Sequence, residues 1–150
     1  WDLAPDDPAA TPEFVEQMNR TYYRRMTELA QTGLFDVCSH FDVVKRAGIH
    51  APAKLLAEIV PPALDAVAAA GMAIEINTSG FNHGAGEAYP SLQILAWMKE
   101  RGIPITFGSD AHNPDQIGQR FGEAIALARS AGHVHRAVFR RRKRTLVPLD

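Results

Sequence analysis

Pro104-Ile105-Thr106-Phe107-Gly108-Ser109-Asp110-Ala111-His112-Asn113-Pro114-Asp115 opens as a short apolar, β-prone run, ends in Ser-Asp-Ala-His and leads at once into a helix start. Strand side chains alternate between faces, so Asp110 and His112 share a side if extended geometry persists to the strand's end. A carboxylate and an imidazole then stand together at its C-terminal tip. Asn113 suits a helix cap, Pro114 the first helical position and Asp115 the first turn, which predicts a helix from Pro114 to about Ala131, ended by Gly132. A strand feeding a helix, with ionisable groups at the junction, is where α/β proteins place their chemistry. Taken alone, Asp-x-His also describes a turn residue followed by an exposed loop residue, so the flanking chain has to decide.

Upstream, Ser91 caps a helix predicted over Leu92 to Arg101, with Leu92, Leu95 and Met98 inward. Met72 to Ile76 reads as a strand closed by Asn77-Thr78-Ser79-Gly80. Alternation places Glu75, Asn77 and Ser79 on one side, opposite Ile74 and Ile76. Glu75 between two isoleucines is costly to bury and needs a cation or several donors. Leu34 to Cys38 reads as an earlier buried strand, with His40 and Asp42 two residues apart just past it. Cys38 is a conceivable thiolate ligand or, more commonly, a small buried hydrophobe.

Thr11 caps a first helix, Pro12 to about Gln31, whose Phe14, Met18, Tyr22, Met26 and Leu29 form a core stripe. Lys45 to His50 reads as a loop. A helical segment from about Pro52 to Val60 is expected to break at Pro61-Pro62 and restart over Ala63 to Ala70. Gly80 to Pro90 is a long glycine-bearing loop of the kind that lines sites. Short strands, Ala137 to Phe139 and Thr145 to Leu149, flank Arg140-Arg141-Arg142-Lys143-Arg144, which reads as a solvated turn or a site for a small anion. The alternation of helix and strand predicts an α/β fold with a parallel sheet and right-handed crossovers.

Composition narrows the classes. The 150 residues suit one domain, 46% are hydrophobic, and the net charge of −1 gives no overall field for nucleic acid or membrane. A single cysteine excludes an internal disulfide framework and fits a reducing, cytoplasmic compartment. No apolar run reaches the ~18 residues of a membrane helix. Residues 1–12 read as a loop or severed connection, and a chain opening on Trp1 reads as a piece of something longer. Three strand ends then carry polar groups: His40 with Asp42, Glu75 with Asn77, Asp110 with His112. In a parallel sheet these ends share one face, and imidazole with carboxylate is a ligand set for Zn, Fe or Mn. Such groups converging on one rim suggest more than one metal, which would activate a water and neutralise a phosphoryl group.

As an ordered set, Phe35-Asp36-Val37-Cys38-Ser39-His40-Phe41-Asp42-Val43-Val44-Lys45, Glu75-Ile76-Asn77-Thr78-Ser79-Gly80, Gly86-Glu87-Ala88-Tyr89-Pro90-Ser91 and Gly108-Ser109-Asp110-Ala111-His112 resemble the later motifs of the polymerase-and-histidinol-phosphatase (PHP) superfamily, nearest its histidinol-phosphatase branch. The likeness covers about residues 13–149. It implies a partial, distorted (β/α)₇ TIM-like barrel in a single PHP domain over 1–150, with up to three divalent ions, hydrolysing L-histidinol phosphate in histidine biosynthesis. Carried over by position, His40, Asp110 and His112 match metal ligands, and Asp110 and His112 are the catalytic pair. Asn77 lies on a pocket-lining strand. The family's His-x-His motif and further ligands belong N-terminal to these residues, and where it usually has Leu-Arg-Lys this chain has Phe81-Asn82-His83, leaving His83 as a replacement phosphate contact or, more commonly, a plain loop histidine. The expected partners are a small phosphorylated substrate and either the rest of the barrel or a second copy. Other readings are a PHP phosphoesterase acting on nucleotides or oligonucleotides, and a truncated, inactive domain.

Overall fold

The computed structural model describes residues 4–149; Trp1 to Leu3, part of the expected N-terminal loop, and Asp150 lie outside the described residues. The first helix, α1 (Pro12–Gln31), begins where the sequence predicts: the Thr11 hydroxyl accepts from Phe14 N at 3.2 Å, and proline takes the first position. Its buried face is rotated from the expected stripe. Val15, Asn19, Tyr22, Tyr23 and Ala30 are buried, whereas Phe14 is exposed and Met18, Met26 and Leu29 only flank the core.

Strand β1 is only Val37–Cys38, shorter than the predicted run, because its pairing begins at Val37 opposite Ala73 and leaves Leu34 and Phe35 exposed. Helix α2 (Ala53–Ala69) passes straight through Pro61 and Pro62, against the expected break. Each interior proline costs about 3 kcal/mol, but Val60, Ala63, Leu64 and Val67 are fully buried on its inner face. Burying aliphatic side chains at about 1.5–3 kcal/mol apiece outweighs that cost.

Strand β2 (Ala73–Asn77) places Ile74 and Ile76 in the core. Helix α3 (Leu92–Glu100) and strand β3 (Ile105–Gly108) follow. Ser91 occupies the α3 cap position without a side-chain cap bond; Asp42 Oδ2 accepts from Ser91 N at 3.0 Å instead. The predicted helix from Pro114 divides: Pro114–Gln116 is a single 3₁₀ turn, and α4 spans Phe121–Ser130 after Arg120 turns the chain at φ 56. Asn113 therefore caps no α-helix.

Strands β4 (His135–Arg140) and β5 (Lys143–Pro148) form a hairpin whose two-residue turn is Arg141-Arg142, both at positive φ. Arg142 is held there by Asp36, Nε to Oδ2 at 2.8 Å, which brings the hairpin turn to the beginning of β1. The basic run is thus mostly strand, not turn.

Among the described residues the sheet has five strands in the spatial order β1-β2-β3-β4-β5, parallel from β1 to β4 with β5 antiparallel. The helices touch in the same sequence, α1 on α2, α2 on α3, α3 on α4. Spatial order following chain order distinguishes this sheet from a doubly wound one, whose order reverses. Every parallel strand ends toward one edge, where the next loop begins. No helix among the described residues is long and apolar enough to cross a membrane.

Candidate active site

The C-terminal ends of β1, β2 and β3 deliver His40, Asn77 and Asp110 to one place. His40 Nε2 lies 3.2 Å from Asp110 Oδ2 and 3.1 Å from Asn77 Nδ2. Both His40 and Asp110 adopt left-handed backbone, φ 51 and φ 50. Non-glycine residues there are strained, and such strain collects at functional sites. The His40 backbone is pinned on both sides: Tyr22 Oη donates to His40 O at 2.6 Å, and Glu75 Oε2 accepts from His40 N at 3.4 Å.

Glu75 answers its burial problem with donors rather than with a lysine or arginine. Its Oε2 also accepts from Asn77 Nδ2 at 3.0 Å and sits 4.0 Å from His40 Nδ1. The carboxylate lies over Gly108, where any Cβ would collide with it. Glycine at this strand end is what lets β2 present an acid across β3.

The amide of Asn77 has a determined orientation. Its Oδ1 accepts from Ser79 N at 2.9 Å and from Ser79 Oγ at 2.7 Å, so Nδ2, which only donates, faces His40 Nε2. That contact calls for a lone pair on Nε2. The Asp110 carboxylate on the same nitrogen calls for a proton there. Either protonation state leaves one mismatched contact, and a cation shared between Nε2 and Oδ2 relieves it. Donors bound to one ion at about 2.0–2.2 Å in a tetrahedral shell stand about 3.3–3.6 Å apart, close to the 3.2 Å observed. His112 fits the same chemistry: its Nδ1 lies 2.7 Å from the Asp110 carbonyl, which can only accept, so the neutral ring carries its proton there and its lone pair on Nε2. Among the described residues, no three His, Cys, Asp or Glu side chains are already gathered as a metal cluster. The donor set fits a divalent ion in chemistry and supplies part of a coordination shell.

His40 and Asp110 line a cavity of about 520 Å³ with Tyr22, Met26, Val43 and Tyr89, and an adjoining one of about 360 Å³ with His83, His112 and Gln119. The expected residues His40, Asp110, His112 and His83 thus share one concavity, with Asn77 beneath His40. The imidazole of His83 is held below its ordinary pKa, first by desolvation and then by the Arg46 charge.

Asp42 is the residue that spacing misplaced. With His40 in left-handed backbone the extended alternation stops, and Asp42 turns inward. Its carboxylate is buried 2.7 Å from Lys45 Nζ, which also meets Glu87 at 2.9 Å. Burial raises its pKa despite the Lys45 partner. Asp42 therefore ties the loop carrying Glu87 to the core and does not reach the cavity. Cys38 is buried, its thiol pushed up to about 12 by desolvation and the Glu75 charge, the behaviour of a packed hydrophobe. Tyr22 and Arg46 reach the site without a sequence signal: the first lies in an amphipathic helix and the second in a charged loop. Ser79 falls on the side that alternation assigns it.

Residues 92–123 match the family model described as PHP-associated. The chain is 37% identical over 142 residues to a protein of Deinococcus radiodurans named probable histidinol-phosphatase, an overlap of 92% of this chain and 53% of that protein. It is 29% identical over 112 residues to a probable histidinol-phosphatase of Schizosaccharomyces pombe, covering 71% of this chain and 37% of the relative. The chain spans about half the length of the first relative and less of the second. Matched segment and relatives together liken this chain to the histidinol-phosphatase branch of the PHP family.

Proposed function

We propose that the protein hydrolyses a phosphate monoester in a metal-dependent reaction, with L-histidinol phosphate as substrate and L-histidinol and phosphate as products. The observation that carries this reading is the contact of His40 Nε2 with both Asp110 Oδ2 and Asn77 Nδ2, at 3.2 and 3.1 Å, which a shared cation reconciles. The names of the two relatives supply the substrate. His40, Asp110 and His112 would hold divalent ions, Zn, Mn or Fe, up to three in the complete centre. Such ions supply a nucleophilic water at neutral pH and neutralise charge on a transferring phosphoryl group.

The chain's own residues do the rest. Asn77, oriented by Ser79, fixes the His40 ring with Nε2 beside Asp110. Glu75 and Tyr22 hold the His40 backbone in place, as preorganised catalysis requires. The apolar wall of Tyr22, Met26 and Val43 gives the organic part of the substrate a surface away from water. In this reading the sequential strand order belongs to a partial (β/α)₇ barrel of the PHP type, completed by another part of the protein or a second copy. The protein works in the cytoplasm in histidine biosynthesis and needs neither membrane nor nucleic acid.

Phosphate release from histidinol phosphate by the full-length protein with added Mn or Zn tests this. Metal-dependent turnover is expected, abolished by chelation and restored by metal. Equal release from nucleotides or oligonucleotides would favour the wider PHP phosphoesterase reading, and no release from any monoester would overturn the proposal.

A further inference from the structure

A fully buried tyrosine borders the cavity with its hydroxyl unanswered. Among the described residues two buried side-chain atoms have no hydrogen-bond partner, Asp42 Oδ1 and Tyr89 Oη. Asp42 is served through its other oxygen by Lys45 and by Ser91 N. Tyr89 has a single polar side-chain atom, and that atom is the orphan. A buried hydroxyl left without a partner is destabilising, so its presence calls for a reason. We propose that the Tyr89 hydroxyl hydrogen-bonds a heteroatom in the organic half of the substrate and so selects phosphate esters whose alcohol carries such a group. The inference rests on the phosphomonoester reading and names the residue that tells one ester from another.

The placement is built from the backbone outward. Asn77 N donates to Tyr89 O at 2.7 Å, and Tyr89 N donates to Asn77 O at 3.0 Å. These bonds fasten Tyr89 to the residue whose amide faces His40. The ring lies over Gly80, where a Cβ would stand 2.9 Å from Tyr89 Cζ, the carbon that bears the hydroxyl. Lys45 Nζ stands 5.7 Å from the ring centroid. Desolvation pushes the phenol up to about 12 against the Arg46 charge, so at neutral pH it both donates and accepts.

The two parts of the concavity are lined differently. Tyr89 borders the part walled by Tyr22, Met26 and Val43, whereas the adjoining part is lined by His112, Gln116 and Gln119. The hydroxyl is therefore on the side given to the organic group. Apolar pockets orient their ligands through a few placed polar groups. A ring or amine nitrogen satisfies Tyr89 Oη, and a hydrocarbon leaves it orphaned. A site built this way discriminates by penalising the analogue that lacks the group.

The test uses the metal-loaded full-length protein and Tyr89→Phe, which keeps the ring. Phosphate release is measured from histidinol phosphate and from phenyl phosphate, whose organic half has no nitrogen or hydroxyl. The ratio of the two kcat/KM values is expected to fall about 3- to 30-fold in the variant, the contribution of one hydrogen bond. The melting temperature should hold or rise, because an orphaned hydroxyl is gone. An unchanged ratio overturns the assignment. Calorimetric titration keeps it apart from the functional reading. L-Histidinol should bind the variant more weakly by a similar factor, and inorganic phosphate should bind both proteins alike. Equal histidinol binding, or none to the wild type, refutes the contact. A variant that loses affinity for inorganic phosphate instead gives the hydroxyl to the phosphoryl group and also overturns the proposal. These titrations decide the role of Tyr89 even where the wild type releases no phosphate and the functional reading fails.

Discussion

His40 Nε2 and Asp110 Oδ2, 3.2 Å apart across the ends of two different strands, both project from left-handed backbone. Neither residue is glycine, so each conformation carries a cost that the fold has to hold in place. For His40 the holding bonds come from Tyr22 and Glu75. This pair is the centre from which the other functional residues take their positions.

Replacing Asp110 with Asn keeps the shape and removes the charge. Phosphate release should fall about 100-fold or more, in line with the loss of a preorganised electrostatic group. Bound metal, measured by elemental analysis, should fall with it. The melting temperature should hold, since Asp110 is exposed. Full activity in this variant would remove the His40–Asp110 pair from the mechanism.

Gly108→Ala tests the seat of Glu75. The new methyl meets the carboxylate, so Glu75 must leave its bonds to Asn77 and His40. Overpacking of this kind costs about 1–3 kcal/mol. A denaturant titration should show that loss alongside reduced turnover; an unchanged midpoint would mean Glu75 has room to spare.

Lys45→Met strands the buried Asp42 carboxylate, whose ammonium partner is 2.7 Å away. Leaving one charge of a buried pair alone costs about 3–5 kcal/mol. The double variant Lys45→Met with Asp42→Asn should recover part of the loss, because the uncompensated charge is gone. Chemical denaturation of all three proteins gives the comparison, and a single variant as stable as wild type would show that water reaches Asp42.

His133 is buried, with Nε2 3.0 Å from Leu95 O, and burial lowers its pKa. An imidazole with a folded pKa below its unfolded value of about 6.5 stabilises the fold fully above that value. The contribution is lost as pH falls through the lowered folded value. Unfolding midpoints at pH 7.5 and 5.5 should therefore differ in favour of the higher pH, and His133→Asn should narrow the gap. A gap of the same size in the variant would assign the acid sensitivity to other groups.

The periodic parts of this fold were open to reading from the chain alone. Thr11-Pro12 starts α1, Gly102 and the apolar run after it deliver β3, and alternation along β2 separates Glu75 and Asn77 from the isoleucines. The ordered motifs around His40, Asn77 and Asp110 also carried the likeness to that family. Where local rules met tertiary packing, packing prevailed: α2 runs through Pro61-Pro62 because its buried face is worth more than two lost backbone bonds.

The same division runs through the site. Residue types and strand ends, both local properties, were enough to nominate His40, Asp110 and His112. Which of them meet, and what supports them, depended on backbone turns that no two-residue spacing encodes: φ 51 at His40 turns Asp42 away to Lys45. Arg46 and Tyr22 joined the cavity through contacts between segments far apart in sequence, the loop seam at Gly48–Gly84 and the helix over β1. Local sequence carries short-range conformational preference and chemical identity; the convergence of distant side chains is set only when the whole core closes.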